Sequence, residues 1–398
     1  MSHNQESFNK QDHHFMARAI ELAKKGHYTT SPNPRVGCVL VSYKSGQGIV
    51  IGEGYHQKAG QGHAEVNALV EAKKNNASLI KGATAYVTLE PCSHFGLTPP
   101  CAQGLIDAEI GCVITAMVDP NPKVSGNGLA LLEEAGIKTQ SGLLESAANA
   151  LNMGFIKRMT NRLPYVRAKL AASLDGKTAM QSGESKWITS TEARQDVQRL
   201  RAQSCAIITG ADSVLTDDAK MTVRWSELGT LQNTYQESQL RQPVRVVIDS
   251  KHRLKPDLTF FAYESPILLV RVISDTSFET SHESPLENLA VWPHFVEQIH
   301  INANAQGKVN LLELLRELAK RGINEVLLES GAHLTGAFIE ADLVDELTLY
   351  QAPKLMGGDG KNLIEMPTIT ALSQAKPLTI SDVRMVGCDV RITAKLKS

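Results

Sequence analysis

Apolar positions in this chain switch repeatedly between the spacing of an amphipathic helix and the unbroken runs of a buried strand. Phe15, Ala19, Leu22 and Ala23 share one helical face, and Gly26 ends that helix. Runs at 36–41, 85–89 and 112–118 read as short strands, and a helix over 129–135 has Gly136 at its C-terminal cap. This βαβ rhythm predicts a mostly parallel sheet covered by helices.

A helical pattern over 146–160 carries Lys157 and Arg158 and is broken at Leu163-Pro164, which places a domain boundary near 160. The expected domains are therefore 1–160 and 161–398. The second contains strand patterns at 165–171, 205–209, 244–249, 267–273, 325–329 and 346–350, with helices at 191–203 and 309–321. Polar stretches at 226–242 and 274–293 read as solvated insertions. No internal repeat links the two halves, so their chemistry is expected to differ.

Composition narrows the class. At 398 residues and 42% hydrophobic, the chain can build two or three ordinary cores. A formal charge of −1 and only 5% aromatic residues oppose a nucleic-acid partner, which would want a basic face with stacking rings. No apolar run approaches the roughly 18 residues of a membrane helix, and positions 1–14 lack a secretory apolar core. The cysteines at 38, 92, 101, 112, 205 and 388 do not read as a disulfide framework, so a reducing cytoplasm is expected.

The chemistry is densest around His63-Ala64-Glu65 and the later Pro91-Cys92 and Cys101. One imidazole and two thiolates can hold zinc and leave its fourth tetrahedral position to water. Glu65, beside the first ligand, can shuttle that water's proton. His-x-Glu with a later Pro-Cys-x-x-Cys is the signature of zinc base deaminases, but here eight residues, not two, separate the cysteines. Pro99-Pro100 accounts for the longer spacing: proline suits a helix start, so Cys92 can leave a strand while Cys101 opens the next helix. His63 likewise precedes the periodic Val66, Leu69 and Val70 and is expected on a helix's first turn. The rival readings are a nucleic-acid base deaminase with an accessory domain, and a zinc-stabilised scaffold with His94 as fourth ligand. Glu65 argues against the scaffold, which has no use for a carboxylate beside His63.

The string from Glu90 to Cys101 (Glu-Pro-Cys-Ser-His-Phe-Gly-Leu-Thr-Pro-Pro-Cys), with Pro32-Asn33-Pro34-Arg35-Val36-Gly37 upstream, resembles the deaminase half of the bifunctional riboflavin-biosynthesis deaminase–reductases. The resemblance continues through 169–177, 182–189, Arg201-Ala202, 210–218 and Glu329-Ser330-Gly331, and so covers nearly the whole chain. It implies an α/β architecture: a three-layer cytidine-deaminase-like domain followed by a domain similar to dihydrofolate reductase. It also implies Zn2+ and NADPH as cofactors, a phosphorylated pyrimidine as substrate, and a homo-oligomer. The first half would hydrolytically deaminate a diaminopyrimidinone ribosylamino phosphate, and the second would reduce the product's ribose to a ribityl chain.

In the first half the resemblance implies Asn33, Val36 and Gly37 at the substrate. In the second it implies Lys169 and Asp217 as catalytic residues, and Ser185, Arg201, Met221, Arg224 and Glu329 at the substrate. The NADPH set it implies is Ala171, Trp187, Ser213, Asp217, Ser250, Gly331, Ala332, His333, Leu334, Thr335, Gly336 and Ala337. Gly331 lies between a strand and a helical run, where backbone amides can approach a phosphate. Arg201 and Arg224 are expected to bind the substrate's phosphate through their guanidinium forks. Asp217-Asp218 would otherwise read as a turn. The family usually has proline next, and Ala219 here costs that loop rigidity without removing a functional group.

Overall fold

The computed structural model describes residues 8–93, 100–122, 124–273, 291–367 and 369–396. It divides into two compact units, Met1–Arg162 and Leu163–Ser398.

In the first unit, helix α1 (Lys10–Lys24) starts from an Asn9–Asp12 capping box and buries Phe15, Met16, Ala19, Ile20, Leu22 and Ala23. Strands β1 (Gly37–Lys44) and β2 (Gln47–Tyr55) form a hairpin, followed by α2 (Ala64–Asn75) and β3 (Thr84–Val87). Then come α3 (Cys101–Asp107), β4 (Cys112–Thr115), α4 (Asn127–Glu134), β5 (Lys138–Ser141), α5 (Glu145–Leu151) and α6 (Met153–Asn161). The sheet order is β2-β1-β3-β4-β5. Its β3, β4 and β5 are parallel, but β1 is antiparallel to both of its neighbours.

The missing β2 explains why the sequence overstated the parallel content. Its glycines weaken the strand pattern, and their reason is tertiary. A Cβ on Gly54 would lie 2.2 Å from Ala64 O, and one on Gly52 would lie 2.4 Å from Ala68 O. Helix α2 therefore sits directly on the β2 backbone. A Cβ on Gly37 would instead lie 2.0 Å from Ala19 O of α1. Gly54 pairs with Cys38, the residue after Gly37, so the two glycines face opposite sides of the sheet. Helices α1 and α2 thus cover opposite faces, giving three layers.

The second unit runs β6 (Tyr165–Ser173), β7 (Lys177–Ala179), α7 (Thr191–Gln203), β8 (Ala206–Gly210), α8 (Ala211–Asp217) and β9 (Val244–Ile248). It continues with β10 (Ile267–Val272), β11 (Val296–Ile301), α9 (Leu311–Lys320), β12 (Glu325–Leu328) and α10 (Ala332–Glu340). Strands β13 (Glu346–Ala352), β14 (Lys361–Asn362), β15 (Leu378–Val386) and β16 (Asp389–Leu396) complete it. The main sheet has the order β11-β10-β9-β8-β12-β6-β13-β16-β15, parallel from β11 to β13 and antiparallel beyond. The chain winds outward from β8 to β11 and returns to insert β12 between β8 and β6. Such a reversal of strand order marks the carboxyl ends of these strands as the place where α/β sheets bind ligands.

Three further differences from the sequence reading have local causes. The helix expected over 146–160 is two helices, because Asn152 leaves helical geometry (φ −125°) and its side chain bonds Arg35 N and O. Asp217 closes α8, and Asp218 takes a left-handed conformation (φ 50°), so the expected turn begins one residue late. Strands β15 and β16 were not expected; β15 lies at a sheet edge with most of its side chains exposed, so burial gave it no apolar pattern.

Candidate active sites

In the first unit, His63 is the N-cap of α2, Glu65 lies in its first turn, and Cys101 is the first residue of α3 after Pro100. Cys92 follows the end of β3. His63 Nδ1 lies 3.2 Å from Cys101 Sγ and 3.6 Å from Cys92 Sγ, and the three donor atoms lie within 4.8 Å of one another. The Cys101 backbone amide donates to Cys92 Sγ at 3.3 Å. A hydrogen bond from the Cys101 thiol, aided by His63, holds the Cys92 thiol well below its ordinary range against the opposing effect of burial. The two thiols thus share one proton, which stays on Cys101 and leaves Cys92 as the thiolate.

Glu65 is 4% exposed, and its Oε2 has no hydrogen-bond partner. Burial first, and the neighbouring Cys92 charge second, push its carboxyl up to about 7. A buried carboxylate with an orphaned oxygen next to three soft and borderline donors fits a zinc site with a proton carrier. His94 and the loop to Thr98 lie outside the described residues, so the fourth-ligand alternative rests on the sequence alone.

Asn33 lies near this cluster through a residue that sequence reasoning missed. His56, only 2% exposed, accepts or donates at Nε2 with Asn33 Nδ2 (3.1 Å) and at Nδ1 with Gly62 O (3.2 Å). A carbonyl only accepts, so Nδ1 carries the proton and Nε2 accepts from the Asn33 amide. The His56 ring packs edge-on to His63 with centroids 5.2 Å apart. A lone histidine after a glycine-rich strand gave no spacing signal. Val36 and Gly37 are buried, and Gly37 donates to Thr88 Oγ1 at 3.1 Å. The requirement for glycine at 37 is the contact with α1.

In the second unit, Glu329 follows β12 and Lys169 lies on the neighbouring β6. Arg201, from the last turn of α7, grips Glu329 through Nε (2.6 Å) and Nη2 (2.9 Å), and its Nη1 donates to Thr222 O at 3.0 Å. Arg201 Nη2 also lies 3.7 Å from Met221 Sδ, and Lys169 Nζ is 4.0 Å from Glu329 Oε2. Burial raises the Glu329 carboxyl, but the Arg201 and Lys169 charges outweigh it and hold the group below its ordinary value. The Arg201 fork is thus held by protein acceptors. Arg224 is more open: its fork meets Glu227 while its backbone amide donates to the buried Gln198 side chain at 3.0 Å.

The remaining expected residues spread along the same strand ends. Asp217 is exposed at the end of α8, with Ser213 half-buried one turn earlier, and Ala171 lies on β6. Ser185 is half-buried, and Trp187 is 66% exposed with the Arg194 guanidinium 4.5 Å from its ring centroid. Gly331 is the N-cap of α10, and a Cβ there would meet no atom within 4 Å, which leaves the helix start open. Ala332, Leu334 and Ala337 are half-buried, and His333 pairs with Glu365 at 3.1 Å. Thr335 and Gly336 are buried; a Cβ on Gly336 would lie 1.7 Å from Glu365 O. Close packing against Glu365 explains why this position takes glycine.

Residues 9–117 match the family described as the cytidine and deoxycytidylate deaminase zinc-binding region, and residues 164–392 match the RibD C-terminal domain. Fold and sites thus define a zinc deaminase joined to a reductase in one chain. The chain is 49% identical to the riboflavin biosynthesis protein RibD of Haemophilus influenzae over 97% of its length and 98% of the relative's. It is 48% identical to that of Escherichia coli, over 96% and 98%. Among solved structures it resembles Acinetobacter baumannii RibD with a TM-score of 0.84 at 41% identity, covering 98% and 99% of the two chains. A Thermotoga maritima diaminohydroxyphosphoribosylaminopyrimidine deaminase/5-amino-6-(5-phosphoribosylamino)uracil reductase gives 0.81 at 32% identity, covering 97% and 99%. The chain belongs to the RibD family of bifunctional riboflavin-biosynthesis deaminase–reductases. Its activities are a zinc-dependent deamination and an NADPH-dependent reduction.

Proposed function

We propose that Met1–Arg162 deaminates 2,5-diamino-6-ribosylamino-4(3H)-pyrimidinone 5′-phosphate and that Leu163–Ser398 reduces the resulting 5-amino-6-(5-phosphoribosylamino)uracil to its ribityl form. The observation that carries the first half is the orphaned, buried Glu65 Oε2 beside the His63, Cys92 and Cys101 donors. Those three residues would hold the zinc, which when bound supplies a Lewis acid that makes water acidic near neutral pH. Glu65 takes one proton of the attacking water and passes it to the ring nitrogen, then takes the second from the added hydroxyl as it becomes a carbonyl and delivers it to the departing amine, so water is consumed and ammonia leaves. His56 fixes the Asn33 amide so that its oxygen stays available to the pyrimidine's N–H groups.

In the second half, NADPH supplies the hydride to the sugar's C1. Gly331 and the open start of α10 receive the cofactor's pyrophosphate. Asp217 and Lys169 order the reactants, while Glu329 and Arg201 hold each other and so fix the floor of the crevice. Arg224 binds the substrate's phosphate. The reading includes a reducing cytoplasm, which suits the six free thiols, and no nucleic-acid partner. It also includes a homo-oligomer, supported by the exposed Leu378, Ile380, Val383 and Met385 of edge strand β15.

Purified protein given the diaminopyrimidinone phosphate should release ammonia without NADPH and oxidise NADPH only after that release. Ammonia from free cytidine but not from this substrate would overturn the reading.

A further inference from the structure

Met221 and Arg224 differ from other expected groups of the second unit in the backbone that carries them. Asp217 closes α8, Ser250 lies two residues past β9, and Gly331 caps α10, so regular elements place those three. Residues 218–224 form no helix or strand. Asp218 (φ 50°) and Met221 (φ 51°) both take the left-handed conformation, which a residue with a Cβ keeps only where its surroundings hold it. Met221, Thr222 and Val223 are nevertheless buried, so the peptide groups of this segment need partners.

Side chains of α7, β9 and the segment before β9 supply them. Arg245 of β9 donates to Lys220 O at 3.2 Å, and Arg201 of α7 donates to Thr222 O at 3.0 Å. Gln242 takes both groups of one residue: its Oε1 accepts from Val223 N at 2.8 Å, and its Nε2 donates to Val223 O at 2.9 Å. A carboxamide carries a donor and an acceptor side by side, and here it reproduces the paired bonds of two opposed strand residues. Gln198 of α7, itself buried, then accepts from Arg224 N at 3.0 Å. The backbone is thus fixed at 220, 222, 223 and 224 in turn, while the Arg224 side chain beyond the last of these stays 45% exposed. Gln242 ends the polar stretch that the sequence marks as a solvated insertion, so nothing in its spacing signals this contact.

We propose that Gln242 is a positioning residue of the reductase: it fixes the Val223 peptide, with Gln198 fixing the next, and so aims the Arg224 guanidinium at the substrate's phosphate. This rests on Arg224 as the phosphate contact in the reductase reading above. The phosphate does not react, so losing the Gln242 amide acts on substrate binding and leaves turnover alone.

The test uses full-length protein carrying Gln242→Met, which keeps the side chain's length without its hydrogen bonds at a half-buried position. With deaminated substrate and NADPH, KM for the substrate should rise about 3- to 10-fold, as expected for lost neutral hydrogen bonds, while kcat and KM for NADPH hold. In an Arg224→Ala background the same substitution should raise KM no further, because the group it aims is gone. Gln198→Leu, which removes the acceptor at the next peptide, should repeat this pattern and guards against a folding defect in the first variant. Calorimetry should show ribose 5-phosphate binding both variants more weakly than the wild type. A KM rise that adds in full to that of Arg224→Ala, or a fall in kcat and NADPH affinity beside it, marks a merely structural side chain and overturns the proposal. An effect of Arg224→Ala with none from Gln242→Met refutes the aiming alone, whereas an unchanged KM in Arg224→Ala refutes the phosphate contact beneath it. A wild type that oxidises no NADPH refutes the reductase reading instead, and the ribose 5-phosphate comparison then still judges Gln242.

Discussion

The first unit concentrates its chemistry in one point, whereas the second spreads it along a line. His63, Cys92 and Cys101 place three donor atoms within 4.8 Å of one another, held by the starts of two helices and the end of one strand. In the second unit the candidate groups lie at the ends of β6, β8, β9 and β12, and one buried carboxylate, Glu329, ties two cations together beneath them. A metal needs converging ligands and little else, so losing one ligand should remove the whole function. A two-part cofactor and a phosphorylated sugar need an extended crevice, so single losses there should be graded.

That contrast is broken most sharply at Cys101. Cys101→Ser should reduce bound zinc from about one per chain to a small fraction and abolish ammonia release, because a neutral hydroxyl replaces a thiolate. Metal analysis showing full retention would remove the converging-donor account. Glu65→Gln comes next: zinc content should hold while deamination falls by about 10² or more, since shape is kept and the proton carrier is lost.

Glu329→Gln sharpens the comparison on the other side. It leaves the buried Arg201 without its charge partner, a loss of about 3 kcal/mol in denaturant unfolding. The sign with pH follows from the folded carboxyl lying below its unfolded value of about 4.3. The wild type should hold this stabilisation above that value and lose it as pH falls through the folded one, while the variant should show a shallower acid decline. Unfolding that is equally acid-sensitive in both would show that Glu329 is not the linked group. The smallest effect is expected from Arg224→Ala, which should raise KM for the phosphorylated substrate by about 10-fold with kcat near normal, as measured by NADPH oxidation.

The same contrast decides how much could be read without the fold. Metal-binding donors impose local spacing, so the cluster of His63, Cys92 and Cys101 was legible in order, and the prolines before Cys101 even marked the helix it opens. Helix α7 was expected at 191–203 and occupies Thr191–Gln203, because its cap and its apolar period agree. What stayed hidden depends on partners distant in sequence. The β2 glycines make sense only against α2, Gly336 only against Glu365, and the Arg201 fork only once β12 brings Glu329 to it across 128 positions. His56 has no motif; its role comes from Asn33 and Gly62 meeting its two nitrogens.

The separation of the two sites is tested most directly by removing the metal from the intact chain. Full-length protein stripped with a chelator should release no ammonia from the diaminopyrimidinone phosphate, yet oxidise NADPH at its original rate when given the deaminated product. Adding zinc back should restore ammonia release alone. A parallel loss of NADPH oxidation on stripping, recovered with the zinc, would contradict two independent sites and place the metal in both reactions.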